Sequence, residues 1–168
     1  MNIYMTSGTF DFLEKIKDKH PGETIILMQN NENAVLLHET ERKTIFSMPR
    51  SFQVLESLGN LGEAKFVVMN HFPIIEEDRP LFEHRFKNKE KLLERLPGLI
   101  ANRVLRPLKS DTYVILTLWK NEQSFKDWES SLSFKEYFNE KNSSSKQAAL
   151  FIGAPYIKKY FIPETKTL

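Results

Sequence analysis

Two side chains carry most of the chemistry this sequence offers. Asn70 interrupts an apolar strand, following Phe66-Val67-Val68-Met69. A carboxamide there costs free energy unless it is hydrogen-bonded. It either bonds neighbouring backbone at a strand end or aims a donor into a pocket. Trp128 sits on a helical segment directly after the run 112–119. It serves as core packing or as a wall for a flat aromatic ligand. Other chemistries find little support. His20, His38, His71 and His84 show no i, i+4 pair and no H-E-x-x-H, so no intrinsic metal site is expected. The chain has no cysteine, which removes disulfides, zinc fingers, iron–sulfur clusters and thiol nucleophiles together. It has no G-x-S-x-G elbow, and its 6 glycines form no phosphate-cradling loop. Glu76-Glu77-Asp78 reads as a solvated loop rather than an acid–base pair.

The elements that must position Asn70 and Trp128 follow from periodicity. Residues 2–6 form a strand, and Phe10, Leu13 and Ile16 recur at helical spacing until His20-Pro21-Gly22 stops them. Residues 24–29 and 34–38 form a hairpin around an Asn-rich turn, and residues 44–47 suggest a third strand. Ser51 caps a predicted helix with Phe52, Leu55 and Leu58 inward, ended by Gly59. A second cycle begins near Ala64. It has a strand over 65–75, a long helix from Pro80 with Phe82, Phe86 and Leu93 on one face, and strands over 100–105 and 112–119. A helix opened by Asn121 places Phe125 and Trp128 together, and Ser133-x-x-Glu136 reads as a capping box for another with Phe134 and Phe138 inward. Residues 142–147 read as a loop, and residues 151–162 as a last strand broken by Gly153 and Pro155.

Each cycle is thus strand, helix, strand, strand, helix, the split β-α-β pattern. SFQVLES at 51–57 echoes SFKDWES at 124–130, identical at four of seven positions. The expected fold class is α+β, with two ferredoxin-like halves in one chain. A division into residues 1–62 and 63–168 is expected.

The 168 residues are 40% apolar and 27% charged, enough for a sizeable core. With 24 basic and 22 acidic residues the balance is too even to argue for nucleic acid. No apolar stretch approaches the ~20 residues of a membrane span. The N-terminus lacks the pattern of a signal peptide, and the absence of cysteine suits a cytoplasmic location. Thirteen phenylalanines foretell a large aromatic core.

The stretches RPLFEHRF (79–86) and RVLRPLKSDTYVILTLW (103–119), then SFKDW and SFKEY, resemble the antibiotic-biosynthesis-monooxygenase domain. With SGTFDFL and ENAVLLHET in the first half, the whole chain is similar to the HmoB-like members of the IsdG-type heme-degrading monooxygenases, with the staphylococcal TRAP proteins as a sister branch. The resemblance implies a monomer whose first half imitates the second subunit of a dimeric α+β barrel, with a single site in the second half. It implies heme as both substrate and cofactor, molecular oxygen and an external electron donor such as a reductase. Asn70 would be the hydrogen-bond donor and Trp128 the wall that distorts the porphyrin, in a pocket shared with Phe125, Phe134 and Tyr137. The family's iron-ligating His should fall ten residues after Trp128, where this chain has Phe138. A benzyl group cannot coordinate iron, which leaves Tyr137 or His84 as alternative ligands. The resemblance also keeps open a cofactor-free oxidation of a flat aromatic, and a non-enzymatic stress or regulatory protein of the TRAP kind.

Overall fold

The computed structural model describes residues 1–138 and 153–164. The expected loop at 142–147 and the start of the last strand lie outside them. The β-branched and aromatic runs form β1 (Asn2–Gly8), β2 (Thr24–Gln29), β3 (Ala34–Thr40), β4 (Arg50–Leu58), β5 (Phe66–Pro73), β6 (Leu99–Pro107), β7 (Thr112–Trp119) and β8 (Tyr156–Phe161). The helices are α1 (Phe10–Asp18), α2 (Arg79–Arg85), α3 (Glu122–Glu129) and α4 (Leu132–Tyr137).

The strands close into one antiparallel barrel in the order β1-β3-β2-β8-β5-β7-β6-β4. Within it each half keeps the same internal order, β4-β1-β3-β2 and β8-β5-β7-β6. Two ferredoxin-like sheets are therefore joined edge to edge. One seam is long, from Phe52 opposite Pro107 to Leu58 opposite Asn102. The other, between β2 and β8, is paired only at Gln29 and Phe161 among the described residues.

Alternation along the strands divides the side chains. On β5, Val67 and Met69 enter the barrel interior with Ile3, Met5, Leu37, Leu105 and Leu116. Phe66, Val68 and Phe72 point outward beneath α2, α3 and α4. A third cluster lies under α1. The first half has no helix between β3 and β4, and residues 44–47, expected as a strand, form bends. Its outer face is covered by one helix where the second half has three among the described residues.

Three expected elements are corrected. Residues 51–58, expected as a helix, belong to β4. A bulge between Val54 and Glu56 changes the face of the strand. Phe52 and Val54 therefore pack inside the barrel, while Leu55 and Leu58 join the outer layer. A bulged strand thus satisfies the same three-residue spacing that suggests a helix. Gly59 ends it at φ 72°, where a Cβ would collide with the Ile100 carbonyl. The echo therefore pairs a strand with a helix, and Leu55 is not the counterpart of Trp128. The internal duplication rests on strand order instead. The long helix expected from Pro80 stops at Arg85, and Asn88 at φ 58° precedes a 3-10 turn at Glu90–Leu92. Phe82, Phe86 and Leu93 are nonetheless all buried. The cap of α4 is Ser131, which accepts from the Phe134 N–H at 3.3 Å, and not Ser133.

Two polar features interrupt the barrel interior. Arg103 of β6 donates through Nε to Glu39 of β3 at 2.7 Å and through a guanidinium nitrogen to the Leu58 and Asn102 carbonyls at 2.9 Å. His71 of β5 stacks on Tyr156, centroids 4.4 Å apart. Burial first, then Arg50 and Lys158, depress its pKa from 6.5 to about 4, against a weaker opposing pull from the Met69 and Tyr156 backbone. Between these values the unfolded chain binds more protons than the native one, so stability falls as pH drops through this window. Urea unfolding at pH 7 and pH 4.5 should show a loss of roughly 2.5 kcal/mol from this group. His71→Phe should lack that component. An equal acid loss in both proteins would refute the assignment.

Candidate functional site

Asn70 lies on the outward face of β5, between Ile115 of β7 and Ile157 of β8 in register. It is 7% exposed, and its Nδ2 is buried with no hydrogen-bond partner among the described residues. The expected backbone partner is absent there. A buried donor left in this state costs about 1–3 kcal/mol, and an unfilled ligand contact is a physical reason to retain it.

The wall facing this strand is aromatic. Asn121 accepts from the Ser124 N–H and caps α3, whose next turns bury Phe125 and Trp128. Trp128 is 3% exposed, with ring centroids of Phe134 at 4.9 Å, Trp119 at 5.4 Å, Tyr137 at 5.8 Å and Phe138 at 6.0 Å. Its Nε1 donates to Ser133 Oγ at 3.4 Å, and that hydroxyl donates to the Leu92 carbonyl. Ser133, expected as a cap, instead ties the indole to the segment after α2.

Phe138 connects the two walls. It closes α4 and lies 4.8 Å from Phe134, 6.0 Å from Phe72 and 6.1 Å from Phe86. Phe72 shares its strand face with Asn70, two residues on. Asn70 and Trp128 thus border one layer, and Phe138 occupies space between their elements. Tyr137 is turned away from it. The two rings meet at 89°, and Asn102 Nδ2 on β6 donates to the Tyr137 hydroxyl at 3.4 Å. Burial raises the pKa of this phenol well above the ordinary tyrosine value, which opposes a phenolate. Phe125 lies deeper, against Phe66 and Trp119. His84 is exposed on α2.

Sequence reasoning passed over two cations at the rim. Arg85 is half-buried, its Nε lacks a partner among the described residues, and burial lowers its pKa. Helical spacing sets it on the opposite side of Phe82 from Glu83, whose carboxylate is held below its usual range by Arg106, with a further hydrogen bond from Tyr113. Lys89 donates to the Tyr137 and Glu136 carbonyls at 2.8 and 3.3 Å and stands 5.5 Å from the Phe86 ring centroid. Burial and then Arg85 lower its pKa. The basic run Arg85-Phe86-Lys87-Asn88-Lys89 was the available signal.

The arrangement suits a flat apolar body bearing acceptors and negative charge: aromatic faces, one unused amide donor and two half-buried cations. It offers no evident metal ligand. Phe138 has none to give, the Tyr137 hydroxyl is engaged, and among the described residues no three His, Asp or Glu side chains gather to hold an ion. No described helix is long and apolar enough to cross a membrane.

Residues 65–140 match the model of the family described as antibiotic biosynthesis monooxygenase. That match bears out the resemblance to this domain read from residues 79–86 and 103–119. The signal transduction protein TRAP of Staphylococcus epidermidis is 28% identical over 163 residues, covering 97% of this chain and 98% of that protein. A heme-degrading monooxygenase of Listeria monocytogenes is 24% identical over 137 residues, 82% of each chain. Among solved structures, a major regulator of staphylococcal pathogenesis superposes with a TM-score of 0.86 at 21% identity, over 98% of this chain and 100% of that one. LmHde, a heme-degrading enzyme from Listeria monocytogenes, superposes with a TM-score of 0.74 at 21% identity, over 97% and 100%. At these identities the likeness to solved structures is one of fold.

Proposed function

We propose that the second half takes up heme, a flat and largely apolar tetrapyrrole with two carboxylates, and oxidises it to an opened tetrapyrrole with release of iron. The observation that carries this reading is the Asn70 carboxamide, a buried donor without a partner among the described residues, beside an aromatic layer. Asn70 donates to an acceptor above the ring, and Trp128 and Phe134 press on its face. Arg85 and Lys89 receive the carboxylates at the rim. Heme brings the redox-active iron, and molecular oxygen and an external electron donor complete the requirement. The site lies in residues 63–168, and residues 1–62 form the half without one. The chain works as a cytoplasmic monomer.

The chemistry of the lining suits the porphyrin and does not suit the iron. With Phe138 at the expected ligand position, affinity rests on buried area, at ~25 cal/mol per Å² before association costs, and on the rim charges. Entry also requires Phe138 to leave its place between Phe72 and Trp128. Phe138 is likewise the observation that favours a second reading, a non-enzymatic signalling protein of the TRAP kind with the layer permanently filled.

A hemin titration followed by ascorbate in air tests both. Hemin should bind saturably with a broad Soret band, and iron-free protoporphyrin IX should bind within about tenfold of it, since no ligand bond is lost. Arg85→Gln should weaken both by about tenfold. Bleaching with iron captured by a chelator supports the oxygenase. A stable band leaves a heme-binding protein, and no saturable binding leaves the signalling reading.

A further inference from the structure

One end of the barrel holds a cavity that the aromatic layer does not share. It opens where β4, β7 and β8 begin and β5 ends, has a volume of about 320 Å³, and is lined by residues that include Arg50, Phe52, His71, Lys109, Val114 and Tyr156. His71 follows Asn70 on β5 and so faces the opposite side of the sheet. Nothing in the cavity touches Trp128 or Phe138.

The chemistry of this mouth is specific. Phe52 and Val114 belong to the buried barrel core and form an apolar floor. The His71 and Tyr156 rings are stacked, their planes 7° from parallel, and give an aromatic side to the cavity. Arg50 and Lys109 stand at the opening, and no Asp or Glu lines it. The one hydrogen bond from the Arg50 side chain among the described residues goes to the Ser7 hydroxyl at 3.4 Å, and Lys109 makes no ion pair among them. The nearby Asp111 carboxylate accepts from the Thr112 hydroxyl and lies outside the lining. His71 is 4% exposed, and its Nδ1 is buried with no hydrogen-bond partner among the described residues. A ring nitrogen buried without a partner, beside two cations without a carboxylate, is an incomplete site. The volume stands at the small end of ligand pockets, which limits the occupant to about the size of one substituted ring.

We infer that this barrel mouth is a second binding site, for a small aromatic carboxylate whose ring packs against the stacked His71–Tyr156 pair over the Phe52 and Val114 floor and whose carboxylate meets Arg50 and Lys109. It is independent of the heme reading. Two cations at one opening attract an anion, and the guanidinium fork fits a carboxylate. The apolar floor separates such a ligand from a bare inorganic anion, which would leave it uncovered.

Sodium benzoate is the probe, added to the full chain and followed by calorimetry and by the NMR signals of the His71 ring and the Arg50 side chain. Saturable binding with a Kd of about 1 mM or tighter is expected, with both residues shifting together. Benzamide, with the same ring and no charge, and inorganic phosphate, with charge and no ring, should each bind at least about tenfold more weakly. Arg50→Gln/Lys109→Gln, both at exposed positions, should lose the benzoate response by a similar factor and leave the far-UV spectrum and the hemin titration unchanged. Benzoate that fails to saturate overturns the inference. So does benzamide or phosphate binding as well as benzoate, or a double variant that still binds it.

Discussion

Arg103→Met should lower the free energy of unfolding by about 3–5 kcal/mol, the cost of leaving a buried charge without its partner. The Arg103 and Glu39 side chains are 5% and 12% exposed, and the residues around them are the aliphatic core of the barrel. In that setting a lone Glu39 carboxylate must either protonate or draw in water, and the Leu58 and Asn102 carbonyls lose a donor as well. The pair joins β3 of the first half to β6 of the second, so the loss falls on the junction of the halves. The double variant Glu39→Leu/Arg103→Met should recover most of the loss, because an apolar replacement carries no desolvation cost. Urea unfolding of the three proteins measures the coupling. A single-variant loss below about 1 kcal/mol would mean that the pair is as weak as one on the surface.

Phe138→His should have the largest functional effect. The substitution sets an imidazole in the layer that also holds Trp128 and borders the Asn70 strand, at the position where the family resemblance expects the iron ligand. Hemin affinity should rise by at least about tenfold, one ligand bond's worth of 1.4 kcal/mol or more, while protoporphyrin IX affinity stays level. The Soret band should sharpen, and ascorbate-driven bleaching should accelerate. The gain belongs to the neutral imidazole, so it should fade below pH ~6.5 as the ring protonates. Phe138→Leu is the control for space alone. It opens the layer and should admit hemin and protoporphyrin equally. Identical hemin spectra for the two variants would show that residue 138 does not reach the iron.

The asymmetry between the halves explains why one layer is the candidate. Both halves supply the same sheet order, but β3 runs to β4 through bends with no helix between them. The first half therefore covers its outer face with α1 alone and a small cluster around Leu13, Leu27 and Leu36. The second builds a deep aromatic layer from Phe72, Phe82, Phe86, Trp128, Phe134, Tyr137 and Phe138.

The strands and helices whose burial pattern is strictly periodic were legible in the residues: α1 by Phe10, Leu13 and Ile16, the hairpin by its Asn-rich turn, and α3 by Asn121, Phe125 and Trp128. So was the oddity of Asn70, since an amide among valines is visible in one dimension. Residues 51–58 were not. A bulge lets a strand bury side chains at helical spacing, and only the β6 partner creates the bulge. The missing partner of Asn70 Nδ2, the Arg103–Glu39 pair across 64 positions, and the burial that keeps His71 neutral were decided by tertiary structure alone. Periodicity is a local property of the chain. Whether a polar atom is satisfied depends on what arrives from far along it.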